Sequence, residues 1–404
     1  MTLSQGRQYL AIPGPTVIPD RVLAAMHRAA PNIYEGPLHR MVDGLIGDLR
    51  AVARTGGHVA IYIANGHGGW EAANANVFSR GDRALVLGTG RFGEGWANAA
   101  RGMGVEAELI DFGKRAAADP ARVEAALCAD PEHRIRAVMM THIDTASSAQ
   151  SDIRAIRAAL DAAGHPALLM VDSIAALGCA PLEMDAWGID VLLAASQKGL
   201  MCPPGLCFLW FNERARDAGR RADLRTPYWD WEARAFAKQF YQFFGGTAPT
   251  HHLFALREAL DMLLHEEGLE AAWARHDALA RAVWAAADAW GAQGPLELNI
   301  ADPAARGNSV TAFRIGAPDG TRLRRWCETQ AGLTLGIGLG MAEPDDPAWH
   351  GFFRIAHMGH VNAHMVLGAL GAIDAGLKAL DIAHGGGAVE AAARAVAAAA
   401  PEPG

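Results

Sequence analysis

Long apolar runs are missing from this sequence. No stretch approaches the ~20 residues a membrane-spanning helix needs, and the start, Met1 to Leu10, lacks the apolar centre of a secretory signal. Cysteine is scarce. Its five copies, Cys128, Cys179, Cys202, Cys207 and Cys327, form no CxxC pair and no metal-ligand spacing. A sparse, odd set speaks for free thiols in a reducing compartment and against a disulfide framework. The histidines, among them His251, His252, His357 and His360, show no metal-site spacing either. Concentrated positive charge is also absent. Lys and Arg total 36 against 44 Asp and Glu, a net charge of −8, and the one short basic cluster, Arg322 to Arg325, reads as a solvated helix face. That argues against a nucleic-acid partner and leaves small anionic substrates open, because a local site can oppose the global sign. The expectation is a cytoplasmic protein without membrane, nucleic-acid or metal partners.

What is present is a globular composition, 51% hydrophobic and 20% charged. A chain of 404 residues exceeds one ordinary core, so two domains are expected. Pro13-Gly14-Pro15 and Pro19 predict an extended arm, followed by helical patterning over 21–54 that breaks near Pro31 and Pro37. Short apolar runs at 58–63, 83–87, 106–111, 135–140, 167–171, 191–195 and 206–211 then read as strands. Helical runs at 70–78, 92–103, 120–128 and 153–163 lie between several of them. This alternation predicts a mostly parallel sheet covered on both faces. After Phe211 an aromatic, loop-rich stretch leads into long helices over 252–290, then a smaller α+β unit. The resulting division is an arm at 1–20, a large α/β domain at 21–260, a small domain at 261–385 and a low-complexity tail at 386–404.

Several segments point to chemistry. In Ala194-Ala195-Ser196-Gln197-Lys198-Gly199 a lysine follows an apolar strand end. A desolvated lysine has a lowered pKa and a nucleophilic amine fit for a Schiff base; a surface lysine just past a strand is the plainer alternative. Leu168-Leu169-Met170-Val171-Asp172-Ser173 places a carboxylate at the C-terminal edge of a buried strand, where α/β sheets bind ligands. There it can face the ring nitrogen of a pyridoxal cofactor or simply cap the next helix. Asn65-Gly66-His67-Gly68-Gly69-Trp70-Glu71 is a glycine-rich turn opening a helix, the kind that cradles phosphate. Gly88-Thr89-Gly90-Arg91-Phe92-Gly93 matches GxGxxG, with Asp111 ending the following strand, and so keeps a dinucleotide-binding alternative open. Thr141-His142-Ile143-Asp144-Thr145 puts polar groups at the same strand edge. In Phe353-Arg354-Ile355-Ala356-His357-Met358-Gly359 an arginine inside an apolar run either grips a carboxylate or forms a structural ion pair.

From Pro13-Gly14-Pro15-Thr16 to about Gly359, the order and spacing of these segments resemble the class V aminotransferases of fold type I, in particular the alanine–glyoxylate and serine–glyoxylate group. The resemblance implies an α/β fold of the pyridoxal-phosphate-dependent transferase type, with a mostly parallel seven-stranded sheet flanked by helices and a smaller α+β C-terminal domain. It implies pyridoxal 5'-phosphate as cofactor and a homodimer with active sites at the subunit interface. By the same resemblance Lys198 is the Schiff-base lysine, preceded by Gln197, and Asp172 is the partner of the ring nitrogen. Gly66, His67 and Gly68 are the phosphate turn, Phe92 is the ring-stacking aromatic, and Thr145 lies near the phenolic oxygen. Thr247 is a phosphate contact from across the interface, and Arg354 binds the substrate carboxylate.

The sequence departs from the family in places. Phe244 stands where the family often has Tyr, Ala146-Ser147-Ser148 stands where it has Thr-Gly or Ser-Gly, and Ile33-Tyr34-Glu35-Gly36-Pro37 replaces an Asp-His-Arg. Tyr34 and Asn65 are therefore the substrate-side candidates that bear on the amino donor. The implied reaction is a ping-pong transfer of an amino group from a small amino acid to glyoxylate or pyruvate. The rivals are a pyridoxamine–pyruvate-type enzyme, whose distinguishing acid aligns with Asn65, and a lyase or desulfurase on the same fold, which would need a mobile loop cysteine. An NAD-dependent dehydrogenase is the rival from another class.

Overall fold

A computed structural model describes residues 2–400. Its larger sheet has the strand order His58–Ala64, Gly205–Phe211, Val191–Ala195, Leu168–Asp172, Ile135–Thr141, Arg83–Gly88, Glu106–Asp111. Only Gly205–Phe211 runs antiparallel to its neighbours; the other six strands share one direction. Their C-terminal ends therefore line one edge, which collects Asn65, Thr89, Thr141, Asp172 and the Ser196-Gln197-Lys198 turn. The strand order reverses between Arg83–Gly88 and Ile135–Thr141. Such a switch point opens a crevice at the carboxyl edge of a parallel sheet.

The period-2 alternation of a buried strand is clear in Leu168–Asp172. Leu169 and Val171 join one core with helices Pro37–Ala53, Pro120–Cys128, Ile153–Ala162 and Thr250–Leu260. Leu168 and Met170 join the opposite core with helices Gly66–Val77 and Arg91–Gly102. Both faces are covered, which explains why these strands read as continuous apolar runs. Helix Gly66–Val77 starts before the expected position 70, because the Asn65 side chain caps it by accepting from the N–H groups of His67 (3.1 Å) and Gly68 (3.3 Å).

A second sheet has the order Tyr9–Ala11, Leu333–Ile337, Phe352–Ala356, Val310–Arg314, Glu297–Leu298. The arm thus contributes a strand, parallel to Leu333–Leu335. The alanine-rich segment Ala388–Ala399 is a helix that seats Ala388 and Ala392 in the core beneath this sheet. Residues 401–404 of the expected tail lie outside the described residues. Among the described residues no helix is long and apolar enough to cross a membrane.

The GxGxxG turn has an internal use. Asp144, fully buried, accepts from the backbone N–H groups of Phe92 (2.8 Å) and Gly93 (3.3 Å) through Oδ2, and from those of Ala146 (2.9 Å) and Ser147 (3.3 Å) through Oδ1. The N-terminus of helix Arg91–Gly102 already holds a carboxyl group supplied by the chain itself, whose proton affinity burial raises against those four N–H groups. The glycines allow this close packing. A Cβ on Gly90 would lie 2.5 Å from Asp144 Oδ1, and one on Gly93 would lie 2.9 Å from the carbonyl oxygen of Leu87. Gly90→Ala should therefore lower stability in urea unfolding by about 1–3 kcal/mol. Gly102→Ala, at the far end of the same helix with nothing within 4 Å, should be neutral or stabilising by about 0.5–1 kcal/mol. Equal effects at the two positions would contradict this packing role.

Candidate active site

A cavity of about 290 Å³ opens at the carboxyl edge of the large sheet, close to the lower end of ordinary ligand pockets at roughly 300 Å³. Lys198 and Asp172 both line it. Asp172 is placed by the last residue of its strand, paired in register with Thr141 and Leu193 on the neighbouring strands. Lys198 follows on the turn after Val191–Ala195. Asn65, Gly66, His67, Phe92, Thr145 and Gln197 also reach the cavity.

The Lys198 side chain is 8% exposed, and its Nζ donates to the carbonyl oxygen of Pro13. The arm folds over it. Thr16 donates from its backbone N–H to the Gln197 carbonyl (3.1 Å) and from Oγ1 to the Lys198 carbonyl (3.0 Å). Gly14 has a φ of 101°, and a Cβ there would collide with Lys198 Nζ. Burial, reinforced by the positive charge of Arg354 and opposed by Asp172, brings the Lys198 amine down to about 7. Asp172 moves the other way. Burial pushes its carboxyl up to about 6, against the hydrogen bonds from Ile174 N–H (2.8 Å) and Trp70 Nε1 (2.7 Å) and the charge of Lys198, with Asp144 adding to the rise. Those two donors occupy about half of the acceptor positions of a carboxylate, so Asp172 retains room for another donor. Gln197 Oε1 is buried with no hydrogen-bond partner among the described residues.

Arg354 stands on strand Phe352–Ala356 of the second sheet and reaches the first from outside the cavity wall. Its Nη1 donates to the Thr145 carbonyl and its Nε to the Ile337 carbonyl, both at 2.7 Å. It is 5% exposed and forms no carboxylate ion pair among the described residues. Burial lowers its guanidinium to about 10, Asp144 works against that fall and Arg324 adds to it, so the group stays cationic at neutral pH.

Other expected residues lie elsewhere. Gly68 sits one residue beyond the cavity wall, tight against Ala64 and Trp229. Tyr34 is 86% exposed, Thr247 is also exposed, and neither lines the cavity of its own chain. Cys327, the cysteine a desulfurase reading would examine, is buried in helix Asp319–Ala331, not carried on a loop. Two residues that sequence reasoning missed enter the site. Trp70 lines the cavity and bonds Asp172, and Asp144 braces Phe92 and the turn carrying Thr145. Their partners are distant in sequence, so no local spacing marked them.

The chain as a whole is similar to known proteins in sequence and fold. Residues 58–355 match the family described as Aminotransferase class-V. The chain is 36% identical to the serine–glyoxylate aminotransferase of Methylorubrum extorquens, over 93% of this chain and 94% of that one. It is 34% identical to the L-aspartate–glyoxylate aminotransferase of Paracoccus denitrificans, over 89% of this chain and 88% of that one. Among solved structures, pyridoxamine–pyruvate aminotransferase from Mesorhizobium loti superposes with a TM-score of 0.86 at 26% identity, covering 99% of this chain and all of the other. A family match over most of the length, together with relatives at this identity along nearly the whole chain, places this protein in the class V aminotransferases, a family of pyridoxal-phosphate-dependent transaminases.

Proposed function

We propose that this cavity transfers an amino group from a small amino acid, such as serine or alanine, to glyoxylate or pyruvate in two half-reactions that use one pyridoxal 5'-phosphate. The observation that carries the proposal is the convergence of Lys198 and Asp172 in one buried cavity, with proton affinities brought close to neutral from opposite sides.

The residues present fit that cofactor. A buried amine with lowered proton affinity, a buried carboxylate with room for one more donor, and the orphaned Gln197 Oε1 are the groups it requires. Pyridoxal phosphate, when bound, supplies an aldehyde that takes up amines and a protonated ring that accepts an electron pair. Lys198 would hold it through Nζ, and Asp172 would keep its ring nitrogen protonated. Gly66, His67, Gly68 and Gln197 would surround the phosphate, helped by the positive end of helix Gly66–Val77. Phe92 would offer an aromatic face and Thr145 a hydroxyl.

Arg354 would receive the donor's carboxylate with a guanidinium that forms no ion pair among the described residues. Lys198, once displaced, takes the proton from the donor's α-carbon on Nζ and returns it on the other side of the transfer. Its position near neutrality suits both the base and the acid role. Tyr34 and Thr247, exposed and away from their own cavity, would serve the site of a second copy in a homodimer. A pyridoxamine–pyruvate-type reaction is the second reading, favoured by the structural neighbour of that name. Against it stands Asn65, a neutral amide occupied in capping the phosphate turn.

Lys198→Ala should lower turnover at least ~100-fold and abolish the visible absorption of the bound cofactor. Arg354→Lys should raise the KM for the amino donor about tenfold or more while leaving cofactor uptake unchanged, because the forked guanidinium geometry is lost. Uptake of pyridoxal phosphate by the cofactor-free chain requires the neutral amine. Its rate should rise with pH about a midpoint near 7. A midpoint at the ordinary lysine value of about 10.4 would show that Lys198 is not the capturing amine.

A further inference from the structure

We propose that Trp70 is a positioning residue of this site, its indole N–H holding the Asp172 carboxylate while its ring braces the Phe92 wall. The inference rests on the reading of Asp172 as the acid that serves the cofactor ring.

The geometry comes from helix packing. Trp70 stands on helix Gly66–Val77, one turn past its N-terminus, and is 3% exposed. The residue before it is Gly69, where a Cβ would collide with Cys207 Sγ on the sheet, so the helix sits as close as its backbone allows. Gly95 on the neighbouring helix leaves room for the indole, since a Cβ there would stand 3.1 Å from Cη2 and Cζ3. Seated this way, Nε1 donates to Asp172 Oδ2 at 2.7 Å, and Ile174 N–H donates to Oδ1 at 2.8 Å. The carboxylate is thus held from two directions, once by its own strand end and once by the helix. The same indole meets the Phe92 ring edge-on at 6.3 Å and stacks on Trp96 at 6.5 Å.

The hydrogen bond favours the ionised form of Asp172 in surroundings that oppose it. Burial and Asp144 on the adjoining turn work against a charge there. Lys198 and the two donors work for it. Loss of the indole donor should therefore let Asp172 pick up a proton at higher pH.

Trp70→Phe keeps a buried aromatic ring and removes the N–H. The pH at which Asp172 takes up its proton, followed by the carboxyl carbon resonance of the full chain carrying isotope-labelled aspartate, should move up by about one pH unit or more. If Trp70 only fills space, a folded Trp70→Phe chain would leave that midpoint unmoved, and the proposal would be overturned. A second arm needs no Trp70 variant. With isotope-labelled tryptophan, one indole N–H resonance among the eleven should titrate near pH 6 and stop titrating in Asp172→Asn. Trp290, which donates to Asp374 at 2.9 Å, supplies an internal control, because its response to pH survives that substitution. No indole titration sensitive to Asp172→Asn would also overturn the proposal. Retained turnover in Lys198→Ala would instead sink the reading of the site, and the indole titration would still report on Trp70 and Asp172.

Discussion

An amine can be kept from water only if it is covered from several directions, and the cover over Lys198 comes from distant parts of the chain. The sheet edge carries it, the arm at Pro13 and Thr16 crosses it, and Gly359, just past a strand of the second sheet, packs so closely that a Cβ there would stand 3.2 Å from the Lys198 carbonyl oxygen. Each cover is itself anchored. Gly359 N–H donates to His276 Nε2 (2.9 Å), and Arg275 donates to the carbonyls of Gly359 (3.1 Å) and Val361 (2.7 Å). The arm continues into Tyr9–Ala11 of the second sheet. The reactivity of one amine is therefore a property of how the two sheets are joined, because either joint, if loosened, would rehydrate Lys198 and return its proton affinity toward the ordinary lysine value.

The same burial sets the electrostatics. Lys198 and Arg354 are the basic groups of the crevice, Asp172 and Asp144 the acidic ones, and none of the four is paired directly with another among the described residues. Direct ion pairs would hold the carboxylates ionised and the lysine protonated. Contact with backbone carbonyls, backbone N–H groups and one indole instead leaves each charge satisfied but uncommitted. Lys198 at about 7 and Asp172 at about 6 end close together, so a proton moves between amine and surroundings at small free-energy cost. Arg354, bound only to carbonyls among the described residues, keeps the charge that the proposed carboxylate contact requires.

Much of this was legible in the sequence because parallel strands buried on both faces are short apolar runs between turns. The strands at Glu106–Asp111 and Val191–Ala195 stand where the pattern set them, and helix Pro120–Cys128 likewise. What escaped reading depends on contacts far apart in the chain. Tyr9–Ala11 is too short to signal a strand, and its partner lies more than three hundred residues away. Trp70 is separated from Asp172 by 102 positions. Ser148 was visible only as a departure from the glycine the resemblance called for. It occupies a left-handed conformation with φ 63°, and its Oγ donates to the Ser147 carbonyl (2.6 Å) and accepts from Ala312 N–H of the second sheet (3.2 Å). The serine thus takes a backbone conformation that glycine adopts more readily, and gains a bond to the second sheet that glycine could not make.

The GxGxxG segment shows why such a motif does not determine its ligand. A strand, a glycine turn and a helix N-terminus produce the same array of N–H groups and the same positive end whatever fills it. In a dinucleotide site the filling anion comes from outside and the turn must stay open. Here Asp144 arrives from the end of the neighbouring strand, takes two of those N–H groups with one oxygen, and occupies the space that Gly90 leaves. The consequence reaches the active cavity, because the N–H held at Phe92 belongs to the residue whose ring lines it, and the turn held at Ala146 and Ser147 carries the Thr145 carbonyl that Arg354 grips. A feature that in one fold recruits a cofactor's phosphate has in this one become an internal brace, and the buried carboxylate at the adjoining strand end marks the difference.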